Sequence, residues 1–172
     1  LAQIEHSVCT LYLPCVVGEE ANGMDLSESS HIAESRLLGA LSPKVRNCLL
    51  NRARRRTVAR GDMLCLQGEP AETLKIVTSG WVKLFRVSED GHEAVVDTLG
   101  NGESFDEVSA LLGGVSASSA EAVTDAELLL LNLTDICFCA NARAEISAAV
   151  LSAMIRLGFS RHCVALSPPI AT

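Results

Sequence analysis

The sequence predicts a mainly β fold, a small antiparallel barrel with flanking short helices followed by a long helix, and three observations carry that expectation. Across residues 66–108, runs rich in Val, Leu, Ile and aromatics alternate with turns at Gly68, Gly80, Gly91 and Gly102. Short strand-like runs at nearly even spacing are the pattern of such a barrel. Glu89-Asp90-Gly91 joins two of the runs as a tight hairpin would, because Asp-Gly reaches positive φ at low cost. From Thr134 the apolar period changes from two to that of a helix.

Taken in order, residues 1–35 read as an amino-terminal arm. Residues 1–17 are apolar with two cysteines, and residues 18–35 are too polar and acidic for a fixed structure to be assigned. Residues 36–140 form the barrel with its short helices, and residues 141–167 the long helix. Leu37, Leu38, Leu41, Val45, Leu49 and Leu50 recur at helical spacing, broken at Ser42-Pro43, where Ser42 can cap a second helix that has Pro43 at its first position. Strands are expected from Thr57 and over Met63–Leu66, Leu74–Thr78, Trp81–Val87, Glu93–Leu99, Ser118–Val123 and Ala126–Leu131. A short helix, Val108–Leu112, should stop at Gly113-Gly114, since glycine takes the left-handed conformation that closes a helix. In the long helix Ile146, Val150, Ala153, Leu157 and Val164 follow the four-three alternation of a coiled-coil seam, the expected interface of a homodimer. A second stripe, Leu151, Ile155, Phe159 and Cys163, leaves little polar surface, so burial on two sides is expected.

Composition excludes several function classes. With 172 residues and 48% hydrophobic composition, the chain can bury one good core. A net charge of −7 speaks against nucleic acid binding by this chain alone, because phosphate backbones are held by clustered Lys and Arg. The one basic cluster, Arg52, Arg54, Arg55 and Arg56, reads as a helix end or solvated face. Seven cysteines behind a start without a basic leader read as reduced thiols of a cytoplasmic protein, and no stretch reaches the length of a membrane span. Cys48, Cys65 and Cys163 fall on apolar faces, where free cysteine acts as a small hydrophobe, while His31, His92 and His162 are isolated.

Gly68-Glu69, Ser79-Gly80-x-Val82-Lys83-Leu84, Asp90-Gly91 and Gly102-Glu103-x-Phe105-x-Glu107 together resemble the cyclic-nucleotide-binding fold of the Crp/Fnr transcription regulators, over about residues 40–166. The resemblance implies a jelly-roll effector barrel and a dimerisation helix. It also implies a DNA-reading helix-turn-helix beyond Ser167, so the chain is expected to reach DNA only through a domain absent from it.

The resemblance places a ligand site on Gly102, Glu103, Phe105, Glu107, Ser116, Ala117, Ser118 and Ser119. In the family's phosphate-binding cassette a glutamate takes the ribose hydroxyl and an arginine takes the cyclic phosphate. Glu107 matches the glutamate, but the arginine position falls on Ser116 or Ala117, and no Lys or Arg lies between Arg86 and Arg143. Asp106 replaces a family glycine and adds a second carboxylate. A buried phosphate without a cation has little to offset its desolvation, so cyclic AMP and cyclic GMP are expected to bind weakly and the effector is left unidentified.

His6-x-x-Cys9 with Cys15 resembles the amino-terminal cysteine cluster of the Fnr branch, with histidine in place of its first cysteine. Such a set can hold an iron-sulfur cluster or zinc, which would make the chain a redox or oxygen sensor, as would haem. The alternative is that Cys9 and Cys15 pack as apolar residues and no metal binds. A rival of another class, a cupin-like metalloenzyme, needs closely spaced inward histidines, and the barrel region offers only His92. The sequence therefore favours a non-enzymatic sensor domain, and a structural dimer without a ligand stays open.

Overall fold

The computed structural model describes residues 35–133 and 140–157. Two short helices, α1 (Arg36–Gly39) and α2 (Pro43–Leu50), precede eight strands. The strands are β1 (Arg54–Val58), β2 (Met63–Cys65), β3 (Leu74–Ser79), β4 (Val82–Val87), β5 (Glu93–Leu99), β6 (Ser104–Phe105), β7 (Ser119–Ala122) and β8 (Ala126–Leu131). A short helix α3 (Glu107–Leu112) lies between β6 and β7, and α4 (Ala140–Leu157) follows β8.

All pairings are antiparallel and form two four-stranded sheets, ordered β1-β8-β3-β6 and β2-β7-β4-β5, which face each other as a jelly roll. Asp90-Gly91 closes the β4–β5 hairpin as expected: Gly91 has φ +80°, and the Ser88 N–H donates to the His92 carbonyl at 2.9 Å. Gly113 caps α3 at φ +69°. Gly80 turns β3 into β4 at φ +80°, with the Asp125 carbonyl so near that a Cβ would stand 2.3 Å from it.

Alternation along the strands divides the apolar residues between two cores. Val58, Leu64, Val77, Val82, Leu84, Leu99, Phe105, Ala120 and Leu128 fill the space between the sheets. Leu74, Ile76, Leu129 and Leu131 face the other way and meet α1, α2 and α4 through Leu38, Leu49, Ile146 and Val150. The first sheet is thus covered on both faces. Each residue on β3 from Leu74 to Val77 is buried, Lys75 among them.

Four expectations are corrected. The arginine run is a strand and not a helix end, though its face is solvated as read: the exposed Arg54, Arg55 and Arg56 belong to β1 and pair with Leu130, Leu129 and Leu128, so the sheet begins three residues before Thr57. A short strand, β6, is added at Ser104–Phe105, just after the turn at Gly102, where no strand was expected. Ser42 does not cap α2 with its own side chain; its N–H and, at 3.0 Å, its hydroxyl donate to the Glu145 carboxylate, which ties the start of α2 to α4.

The fourth concerns the seam. Ile146 and Val150 are 1% and 3% exposed and pack, with Ala153, into the core beneath the barrel, so this stripe is covered by its own chain. A seam read from spacing alone cannot tell a partner helix from a neighbouring sheet, since both bury the same stripe. Leu151 and Ile155, at 57% and 67% exposure, form the outward stripe instead. The side chain of Leu157, and Val164, Phe159 and Cys163, lie outside the described residues, as do the arm and His6, Cys9, Cys15, His31 and His162.

Candidate functional site

The β3–β6 register sets Lys75 opposite Phe105 and Ile76 opposite Ser104, which delivers the next two residues, Asp106 and Glu107, to one end of the space between the sheets. There Leu84, Ser104, Phe105, Asp106, Glu107, Val108, Ser109, Ala117 and Ser118 line a cavity of about 20 Å³, room for about one water. Of the residues expected in a ligand site, Phe105, Glu107, Ala117 and Ser118 meet here.

Glu107 is 2% exposed. Its Oε1 accepts from the Ser104 hydroxyl at 2.6 Å, while Oε2 is buried with no hydrogen-bond partner among the described residues. A buried carboxylate oxygen left unpaired is costly, and a hydroxyl donor arriving in the cavity would satisfy it.

The cation side of the site differs from the expectation. Lys75 enters from β3, where its Nζ donates to Asp106 Oδ2 at 2.6 Å and lies 5.4 Å from the centre of the Phe105 ring. Both side chains of the pair are nearly buried, at 9% and 6% exposure. Asp106 holds the left-handed conformation, φ +63° and ψ +18°, where the family glycine is expected. Of the two carboxylates expected near the site, Asp106 is therefore neutralised by a lysine, while Glu107 is not paired with a cation among the described residues. That lysine could not be found by searching residues 87–142, since strand pairing brings it from upstream. Its legible signal was a charged residue inside the apolar run Leu74–Val77.

Ser116, one of the two residues expected at the arginine position, is 1% exposed and donates its hydroxyl to Asp106 Oδ2 at 3.0 Å. Ser119 accepts from the Gln67 N–H at 3.0 Å on the β2 side. Arg86 reaches the same loop from β4, its Nε donating to the Ala117 carbonyl at 3.1 Å and the Ser118 hydroxyl at 3.2 Å. Cys65 completes the cluster: burial first, and then the Asp106 charge, push its thiol up to about 11.

Gly102 and Glu103 fall elsewhere. Glu103 Oε2 accepts from the Gly100 N–H at 2.9 Å, and both residues line a separate cavity of about 70 Å³ between α1 and α4, with Leu37 and Ala149. Among the described residues no group of three or more His, Cys, Asp or Glu side chains stands where it could hold a metal, and His92 lies exposed near the β4–β5 turn. No described helix is long and apolar enough to cross a membrane.

Comparison with known proteins bears on this geometry. The sequence model of the family described as "Cyclic nucleotide-binding domain" matches residues 55–141. The chain is 39% identical over 97 residues to the cyclic AMP receptor protein of Thermus thermophilus, an alignment covering 56% of this chain and 45% of that protein. The chain thus spans a little under half of that relative's length. Among solved structures, the catabolite activator protein of Thermus thermophilus superposes with a TM-score of 0.61 at 34% identity, over 72% of this chain and 59% of that one. The N-terminal domain of a transcriptional regulator from Streptomyces coelicolor superposes with a TM-score of 0.60 at 33% identity, over 74% of this chain and 89% of that one.

Proposed function

Because the chain belongs to the cyclic nucleotide-binding domain family, we propose that it is the effector-sensing part of a Crp/Fnr-type transcription regulator that takes its ligand through Glu107 and does not respond to cyclic AMP. The observation that carries the reading is a buried Glu107 Oε2 without a hydrogen-bond partner among the described residues, beside a loop, Ser116-Ala117, that offers no arginine. Half of the family's recognition chemistry is kept, the half that accepts a hydroxyl. The half that compensates a phosphate charge is altered. The barrel works as a binding module rather than an enzyme, and the regulator reaches DNA through a separate domain. It is a soluble cytoplasmic homodimer built on the long helix.

The signal would pass from the cavity to that helix. Ala110 on α3 belongs to the same core as Ala149 and Val150 on α4, so a ligand that shifts α3 also moves the surface on which α4 rests. A ligand biases such a packing only by its differential affinity for the two arrangements.

Thermal-shift screening of uncharged hydroxyl-bearing compounds, nucleosides and sugars included, tests the reading. A ligand that stabilises the unaltered chain and loses at least about tenfold in affinity with Glu107→Gln is expected, the usual effect of one charge-assisted hydrogen bond. The reading fails if such ligands bind Glu107→Gln equally well. A second reading, cyclic AMP itself with Arg86 as its cation, is favoured by the reach of Arg86 to Ala117 and Ser118. Micromolar cyclic AMP binding that Arg86→Met removes would establish it instead.

A further inference from the structure

Resting on that reading, we infer that Asp106 is the resident anion of a site within the barrel whose cation is Lys75, and that its carboxylate excludes phosphate-bearing effectors. Asp106 lines the cavity that Glu107 lines, so a ligand hydroxyl seated on Glu107 would bring any attached phosphate towards it. Two donors converge on one oxygen of the Asp106 carboxylate from different parts of the chain. Lys75 comes from β3 at 2.6 Å, and Ser116 from the loop before β7 at 3.0 Å. A charged donor and a hydroxyl converging on one oxyanion, away from water, is the arrangement by which proteins hold a carboxylate or a phosphate oxygen.

The backbone points the same way. Asp106 is the only non-glycine residue with positive φ among the described residues. An L-residue in that conformation is strained and persists where its surroundings over-determine it. What this residue supplies beyond glycine is the carboxylate. With Lys75 neutralised by Asp106, and Arg86 already donating to Ala117 and Ser118, an incoming phosphate meets a filled anion position.

Asp106→Gly and Asp106→Asn should therefore create an inorganic phosphate site, and the double variant Lys75→Met with Asp106→Gly should not. Thermal unfolding in phosphate is compared with chloride at matched ionic strength, because a ligand that binds only the native state raises its stability by mass action. The expected result is a saturable phosphate stabilisation of both single variants, with an affinity at least about tenfold tighter than that of the unaltered chain, and none in the double variant. Single variants within about threefold of the unaltered chain, or a double variant that keeps the gain, would overturn the inference. If a single variant is unfolded in chloride, phosphate should restore its fold, and failure of that rescue overturns the inference equally. Calorimetry with cyclic AMP on the unaltered chain separates the two ideas. Weak binding there with no phosphate gain in the variants defeats this inference and leaves the proposed function standing, whereas micromolar binding defeats both.

Discussion

Lys75 and Asp106 bury opposite charges, which makes them the residues whose removal is most informative. Leaving one partner of a buried pair uncompensated costs about 3–5 kcal/mol, while replacing both with apolar groups is often neutral. Lys75→Met alone should therefore lower the unfolding free energy by about that amount in urea titration, and Lys75→Met with Asp106→Gly should recover most of it, helped by relief of the left-handed strain. Cys65 provides a second reading of the same cluster. Its thiol is raised from 9.0 to about 11, so the protonated form is favoured by folding. That contribution is fully present below pH 9 and is lost as pH rises towards 11, with a slope approaching about 1.4 kcal/mol per pH unit. Lys83 is also raised, above 10.5, by the hydrogen bonds it donates to Glu93 and then to Glu121, and its loss has the same sign at higher pH. Cys65→Ala should flatten the stability curve between pH 9 and 11; an unchanged curve would deny the coupling. At this scale Glu107 was legible, because its motif is local. Lys75 was not, because its partner lies 31 positions away and only strand register joins them.

The elements follow the turns that bound them. Gly80 is the sharpest case, since its φ of +80° and the Asp125 carbonyl beside it leave no room for a Cβ. Gly80→Ala should cost more than the roughly 1 kcal/mol of the conformational term alone, and a loss below that in thermal unfolding would show that the β3–β4 turn yields. Strands β5 and β8 were legible to the residue, because Gly, Asp or Asn stand just outside their ends. Strand β1 was not, because three consecutive arginines carry no apolar alternation; its place is set by pairing with Leu128–Leu130 on an edge where exposed charge is tolerated. The long helix was legible as a helix and its apolar stripes as stripes, but not which stripe faces the barrel. Ile146→Glu should unfold the chain, as it puts a charge into the core. Leu151→Glu and Ile155→Glu should leave the fold intact and, if the homodimer forms on the outward stripe, yield monomers in sedimentation. Dimers that survive both changes would move the interface elsewhere.

For the whole molecule, the jelly roll places a hydroxyl acceptor, Glu107, and the acidic member of a buried ion pair, Asp106, on one small cavity, with α3 linking it to the long helix. That architecture was readable from evenly spaced turns, and the family from a handful of glycines and acids in order. The electrostatics of the site were not, since they depend on which side chains the two sheets bring face to face. The account's central claim is that this barrel keeps the family's glutamate but rejects its cyclic phosphate. Isothermal titration of cyclic AMP into the unaltered chain tests it most directly: no saturable heat at ligand concentrations up to about 1 mM is the predicted result, and a dissociation constant of about 1 μM or tighter, some 8 kcal/mol of binding free energy, would contradict it.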